Sequence, residues 1–353
     1  MDIWDELLQR VYKPAGETPA PQPILWIDDP SRGLQVARSA GADVTPAHAF
    51  RTGSITKPFT AALVLQLAEE GILGLDDFLW DLLKPESRDC LQGLHYLEHR
   101  DWTASITIRH LLEHRSGLCD YAAPEHGFFQ LVMAQPDRTW SWQQTLAQYF
   151  ALGLNCKSPF APGAGFHYAD TNYLLLGLLV EDLTRQTLAD NYEKRIIAPL
   201  GLTGTFLEFF QAAPLNLPMV YPYYGPNSLR AVNTSFDWGG GGLISTMPDL
   251  HRFIRALISG ELFKQETTAH QMRNFRAAAG PEASSKRATL YGLGLQEKTI
   301  GGPAFIGHSS AYGAMLFYSP QRNLTIGLAL HQAAAVHKAE WLLHKAVEQL
   351  ESV

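Results

Sequence analysis

Three cysteines in 353 residues, Cys90, Cys119 and Cys156, show no C-x-x-C spacing and cannot all pair. They read as buried free thiols of a reducing compartment rather than as a disulfide framework. Positive charge is also in short supply: 28 basic against 35 acidic residues give −7, with no long basic run. A nucleic-acid-binding footprint is therefore missing. Long apolar runs are lacking, since the longest, Tyr173 to Val180, is far too short to span a bilayer. The opening Met1-Asp2-Ile3-Trp4-Asp5-Glu6 has neither the charged region nor the apolar region of a secretory leader. A soluble, cytoplasmic protein with no membrane or nucleic-acid partner is expected. Internal repeats and low-complexity tracts are absent, and 18% charged with 46% hydrophobic residues excludes a disordered chain. A chain of this mass should expose roughly 14,000 Å² when folded, which buries about three quarters of its unfolded surface with no need of a disulfide or metal staple.

Residues 2–12 are patterned as a short amphipathic helix, followed by a proline-rich stretch with Pro14, Pro19, Pro21 and Pro23. Two strand-like runs, Ile24–Ile27 and Leu34–Ser39, flank Asp28-Asp29-Pro30-Ser31-Arg32-Gly33 and read as a hairpin. Ala61–Leu67 is apolar nearly all round, so its helix should be buried on every side. Residues 75–205 carry mostly helical patterns, including a long helix from about Thr171. Strands return as a second hairpin, Tyr312–Tyr318 and Leu324–Leu330, and Ala333–Leu350 should lay a helix on the sheet. Strands at both ends imply one α/β (α+β) architecture. Residues 1–75 and 206–353 would form an antiparallel sheet domain with flanking helices, 76–205 a mostly helical domain, and the active site would lie between them.

Ser54-Ile55-Thr56-Lys57 precedes the buried helix and puts a hydroxyl and an amine one turn apart on one face. A helix N-terminus there favours a developing oxyanion, and Pro58 falls in the first turn, where a missing N–H is tolerated. With 18 serines and 10 lysines, about half an S-x-x-K match arises by chance, so the pattern alone decides nothing. The bland alternative makes Ser54 a helix N-cap and Lys57 a solvated first-turn residue.

Context resolves the ambiguity. Phe50-Arg51-Thr52-Gly53-Ser54-Ile55-Thr56-Lys57-Pro58-Phe59-Thr60 resembles the nucleophile segment of the serine β-lactamase and penicillin-binding-protein superfamily, in its class C-like branch. Further segments follow in the family's order: Leu111–Leu118, Phe160–Gly163 with Tyr168-Ala169-Asp170 and the helix after it, Trp238–Thr246 with Asp249-Leu250, and Gly307-His308-Ser309-Ser310-Ala311, which should open a strand. The resemblance implies a serine β-lactamase-like fold and acyl transfer to water through an acyl-serine intermediate, with no cofactor. Ser54 would be the nucleophile, Lys57 its activator and Tyr168 the general base and proton donor. His308 would contact substrate and Tyr168, with Ser309 and Ser310 on the same edge, and the N–H groups of Ser54 and Ala311 would form the oxyanion hole.

Asp170 stands where the family usually carries Asn. A carboxylate only accepts hydrogen bonds and favours a charged Lys57, which shifts the base role to a Tyr168 phenolate held by the lysine. Asp170 could instead simply cap the helix. Ser310 replaces a glycine and should reshape the acyl site. A neutral His308, the Asp170 charge and the acidic chain together favour neutral esters or substrates with a free amine, as in an esterase or a D-aminopeptidase or amidase. A D-alanyl-D-alanine carboxypeptidase or β-lactamase is the alternative within the family. The substrate is a small molecule or short peptide, and the oligomeric state is left open.

Three rival readings remain. His95-Tyr96-Leu97-Glu98-His99 and His110-Leu111-Leu112-Glu113-His114 match the H-x-x-E-H metallopeptidase pattern. A non-catalytic binding relative would retain the fold. The Gly239–Gly242 run could be a phosphate loop, although without G-x-G-x-x-G spacing a close backbone approach beside the site is the better reading. Trp238 and the Tyr221, Tyr223, Tyr224 cluster could line a cleft or fill the core.

Overall fold

A computed structural model describes residues 2–12, 19–41, 44–277 and 290–351; Met1 and Pro14, read above, lie outside them. Its accessible surface is 14,111 Å², as expected from mass alone. The centre is an eight-stranded sheet, antiparallel throughout, in the spatial order Arg276–Ala277, Leu290–Tyr291, Gln296–Thr299, Ala304–Ser309, Ala314–Ser319, Leu324–Ala329, Ile24–Asp29, Leu34–Ser39. The first hairpin turns through a short helical turn, Pro30–Arg32, and Gly33 at φ 62°. Its first strand pairs with Leu324–Ala329, so the two ends of the chain share one sheet.

The strand Leu324–Ala329 is buried at every position because both of its faces are covered. Leu324, Ile326 and Leu328 pack with Leu343, Ala346 and Val347 of the terminal helix Val336–Glu351 and with Leu7, Leu8 and Val11 of the helix Ile3–Tyr12. On the opposite face a β-carbon at Gly327 would lie 2.8 Å from Met247 Sδ, so glycine is what lets the helix Met247–Ser259 press onto the sheet. The larger core lies on that side. There Phe59, on the helix Thr56–Glu69, stacks on Phe253. Eleven of that helix's fourteen residues are buried, as its unbroken apolar pattern requires.

Two sequence expectations change. The second hairpin begins at Ala314 rather than Tyr312, because Gly313 at φ 79° closes a tight turn back to Ser310. Gly307–Ala311 ends a strand instead of opening one, since Ala304–Ser309 terminates there. All three cysteines are free, but only Cys119 is buried. No described helix is long and apolar enough to cross a membrane.

Candidate active site

Ser54 lies in the short helical turn Gly53–Ile55 that runs into Thr56–Glu69. No side-chain cap is made at this helix start, and Lys57 is fully buried, so the capping and solvated-lysine alternatives both fail. Lys57 Nζ donates to Ser54 Oγ at 3.1 Å, to the Gly240 carbonyl at 2.9 Å and to Asp170 Oδ1. Burial alone would lower the lysine's proton affinity. The Asp170 carboxylate and Tyr168 outweigh it and hold the ammonium well above its ordinary range.

Tyr168 arrives on the loop before the leucine-rich helix Asp170–Thr184, and Asp170 is the first residue of that helix. That loop is tied to the segment 114–118: His167 N–H donates to the His114 carbonyl at 2.9 Å and Gly163 N–H to Arg115 at 2.8 Å. Gly117 fits the junction because φ is 76° and a β-carbon would meet the Phe160 carbonyl at 2.0 Å. Asp170 is the first helical residue and makes no cap; its side chain is turned to Lys57 instead.

The Tyr168 ring centroid is 4.9 Å from Lys57 Nζ, and its phenol feels both Lys57 and Ser54. Burial pushes its phenol up to about 12. Lys57 draws it down, whereas Asp170 adds to the rise. At neutral pH Tyr168 therefore keeps its proton, which corrects the expected phenolate. Asp170 has taken the place of the lysine's counter-ion.

Above these groups opens a cavity of about 580 Å³. Ser54, Tyr168, Asp170, Ser310 and Ala311 line it, together with Gly53, Gly240, Gly241 and Tyr312. Asp120, Glu125, His167 and Asp237 join Phe129, Tyr224 and Phe236 around them, and among the described residues no lysine or arginine does. Ser310 Oγ accepts from Tyr312 N–H at 3.2 Å. A β-carbon at Gly53, where φ is 54°, would come within 2.3 Å of that oxygen. The hydroxymethyl group of Ser310 thus fits only because its neighbour is glycine.

His308 and Ser309 do not reach the cavity lining. His308 is buried, with Nε2 on the Tyr291 hydroxyl at 2.9 Å and Nδ1 on the Ser309 carbonyl at 2.7 Å, so no ring nitrogen is left for substrate. Its ring still lies 6.1 Å from that of Tyr168. Ser309 N–H is taken by Gln296 at 3.1 Å. Tyr224 lines the cavity, while Tyr221 and Tyr223 border a separate depression and Trp238 packs in the core against Gly177. The glycine run forms the turn Trp238–Gly241, whose Gly239 and Gly240 carbonyls bind Thr60 and Lys57. It is a close backbone approach: a β-carbon at Gly239 would meet the Tyr173 carbonyl at 2.8 Å.

Neither histidine pair forms a metal face. Glu98 and His99, both at positive φ, turn between the strands Tyr96–Leu97 and Arg100–Asp101. His110 joins the capping box of the helix Ile108–Leu112, and His114 lies beyond its end at φ 54°. Among the described residues no group of three candidate ligands converges.

His114 is instead the hub of an aromatic wall that sequence reading missed. It stacks on Tyr168 at 4.2 Å between ring centroids. Its Nδ1 accepts from Ala169 N–H at 3.1 Å and from Asn172 at 2.9 Å, which leaves Nε2 to donate to the Tyr291 hydroxyl at 3.2 Å. Tyr291 then donates to His308, whose Nδ1–H goes to Ser309. Burial and the Lys57 charge drive His114 well below its ordinary value and His308 down to about 3, so both stay neutral. Asp120 and Asp237 were missed as well. Burial and the Asp170 charge lift Asp120 above the usual carboxylate range and Asp237 to about 7, and Asp237 accepts from the Tyr312 hydroxyl at 2.8 Å. Their neighbours in sequence, Gly117-Leu118 and Trp238-Gly239, belonged to the matched segments and were the available signal.

A family model described as Beta-lactamase matches residues 31–348, and the chain belongs to that family. Penicillin-binding protein 4* of Bacillus subtilis (strain 168) is 29% identical over 61% of this chain, which spans only 46% of that relative's length. Esterase EstB of Burkholderia gladioli is 27% identical over 79% of this chain and 74% of its own. A D-stereospecific amidohydrolase from Streptomyces sp. superposes with a TM-score of 0.78 at 25% identity, covering 96% of this chain and 97% of that one. The antiparallel sheet with its flanking helices is thus the fold of this family.

Proposed function

We propose that this chain is a serine hydrolase that cleaves esters or amides through an acyl intermediate on Ser54. The observation that carries this reading is the contact of Lys57 with Ser54 and Asp170 on the floor of a cavity also lined by Tyr168. Ser54 Oγ attacks the acyl carbon. The backbone N–H groups of Ser54 and Ala311 receive the oxyanion, and the Tyr168 phenol protonates the leaving group. Water then repeats the sequence on the acyl-enzyme. The similarity to an esterase and to a D-stereospecific amidohydrolase supports this chemistry. The cavity draws on residues 120–129 and 167–170 as well as on segments outside 76–205, which supports a site between a sheet domain and a helical domain.

Four carboxylates, with no lysine or arginine among the described lining residues, favour neutral acyl compounds or those with a positive amine, and disfavour anionic ones. Amino-acid amides and short esters are the substrate classes that fit; β-lactams and D-Ala-D-Ala peptides carry a carboxylate that nothing in the lining would hold. Three unpaired thiols, two of them exposed, suit a cytoplasmic setting. A panel of p-nitrophenyl esters, D- and L-amino-acid amides, D-Ala-D-Ala peptides and nitrocefin should show kcat/KM highest for esters or amides. Ser54→Ala should lose both turnover and the mass adduct left by a fluorophosphonate. Preferential nitrocefin hydrolysis would refute the substrate class, and an adduct on another residue would refute the nucleophile.

A further inference from the structure

We infer that Asp170 is the terminal proton acceptor in acylation, receiving through Lys57 the proton that Ser54 releases; this rests on the acyl-serine reading above. Lys57 Nζ points at three acceptors, Ser54 Oγ at 3.1 Å, the Gly240 carbonyl at 2.9 Å and Asp170 Oδ1. An ammonium has three protons and no lone pair, so Lys57 cannot take the serine's proton until it has passed one on. The Gly240 carbonyl is not a base, whereas the Asp170 carboxylate is. An amide at position 170 could hold the lysine in place but could not receive the proton. Tyr168, the other base in reach, keeps its own proton at neutral pH because burial and the Asp170 charge push it up to about 12.

The step balances without any co-reactant. As Ser54 Oγ bonds to the acyl carbon, its proton moves to Lys57 Nζ while Lys57 passes one to Asp170. Lys57 remains an ammonium, Asp170 becomes a carboxylic acid and the substrate oxygen takes the negative charge. When the intermediate collapses, the bond to the leaving atom breaks with its electron pair on that atom, which is protonated by Tyr168. Tyr168 is reprotonated from Lys57 and Lys57 from Asp170, so the serine's proton departs in net with the alcohol or amine. Lys57, Tyr168, Asp120, Tyr121, Asp237 and Tyr291 are the titratable groups that feel the Asp170 charge in this site.

The test is single-turnover acylation by a neutral p-nitrophenyl ester, which carries no amine for Asp120 or Asp237 to select. Asp170→Asn should slow nitrophenol release by about 10² to 10⁴ at neutral pH with KM little changed, and Asp170→Glu should restore part of the rate. The wild-type rate should stay level from about pH 7 to pH 10, while that of Asp170→Asn should climb, because Lys57 must then lose its proton to solvent. Asp170→Asn acylating as fast as wild type at neutral pH, or a loss confined to KM, would overturn the inference. So would a wild-type rate that rises steadily to pH 10, as a Tyr168 phenolate base requires, and this measurement decides the matter even if Asp170→Asn fails to fold. Failure of the acyl-serine reading itself looks different: Ser54→Ala would still release nitrophenol and no acyl group would be found on Ser54.

Discussion

The two walls that flank Lys57 and Tyr168 are built on opposite electrostatic plans. On one side Asp120 and Asp237 share the cavity lining with Asp170, and burial with the Asp170 charge lifts both toward neutral pH. On the other, His114, Tyr291 and His308 form a directional chain in which every ring nitrogen is occupied and both histidines are neutral. Burial accounts for the contrast: it disfavours the charged form of both kinds of group, so it holds protons on the carboxylates and drives them off the imidazoles, and the Lys57 charge adds to the second effect. The first wall should respond to the charge of a ligand. The second holds Tyr168 by stacking and should not.

After Asp170, the largest expected effect is at Asp237 on the acidic wall. Asp237→Asn keeps an acceptor for the Tyr312 hydroxyl, so the fold around it should persist. It should reduce kcat/KM for an amino-acid amide on the order of tenfold or more, about 1.4 kcal/mol, and leave a neutral ester nearly unchanged. In the wild type, KM for the amide should fall as pH rises through about 7, where Asp237 ionises, with no such change for the ester. Equal losses on both substrates would show that Asp237 supports the site without reading charge.

Much of this site was legible as ordered motifs. Ser54 and Lys57 could be placed because a turn leading into an all-apolar helix constrains both side chains to one buried face. Tyr168 and Asp170 followed from their position just before another leucine-rich helix. His308 was placed in the right strand but given the wrong partner. Which way a residue at a strand end points, and who occupies its nitrogens, depends on Tyr291 in the neighbouring segment and His114 across the site. The H-x-x-E-H match misled for a similar reason: spacing predicts a shared helix face only while the helix continues, and this one stops at Leu112. The outer strands Arg276–Ala277, at the sheet edge, and Leu290–Tyr291, next to it, are only two residues long, too short for any alternation to register.

The neutral wall should yield a smaller effect of another kind. Tyr291→Phe leaves the His114 and His308 nitrogens that face the hydroxyl without their partner, at about 1–3 kcal/mol of stability. Because the ring and its packing on His114 remain, Tyr168 should keep its place, and kcat should fall only several-fold with the same loss for amide and ester. A selective loss on the amide would erase the distinction between the walls.

The smallest effect is a difference in how the walls shape stability against pH. Asp237 binds its proton more tightly folded, about 7, than at its ordinary 3.8. Between those values the native state holds more protons than the unfolded chain, so its contribution is full below about 4 and is lost as pH rises through 7. His308 runs the other way, with a folded value of about 3 against 6.5. There the unfolded chain binds the extra proton, so stability is present above 6.5 and is lost as pH falls toward 3. Each slope is at most about 1.4 kcal/mol per pH unit, and in the wild type they oppose one another between about pH 4 and pH 6.5. Single substitutions separate them. Relative to wild type, Asp237→Asn should gain stability as pH is raised from about 4 to 7, and His308→Gln should gain it as pH is lowered from about 6.5 toward 4. Denaturation midpoints across that range would show two difference curves of opposite sign. Parallel curves would mean that both walls take up protons alike and that burial does not divide them.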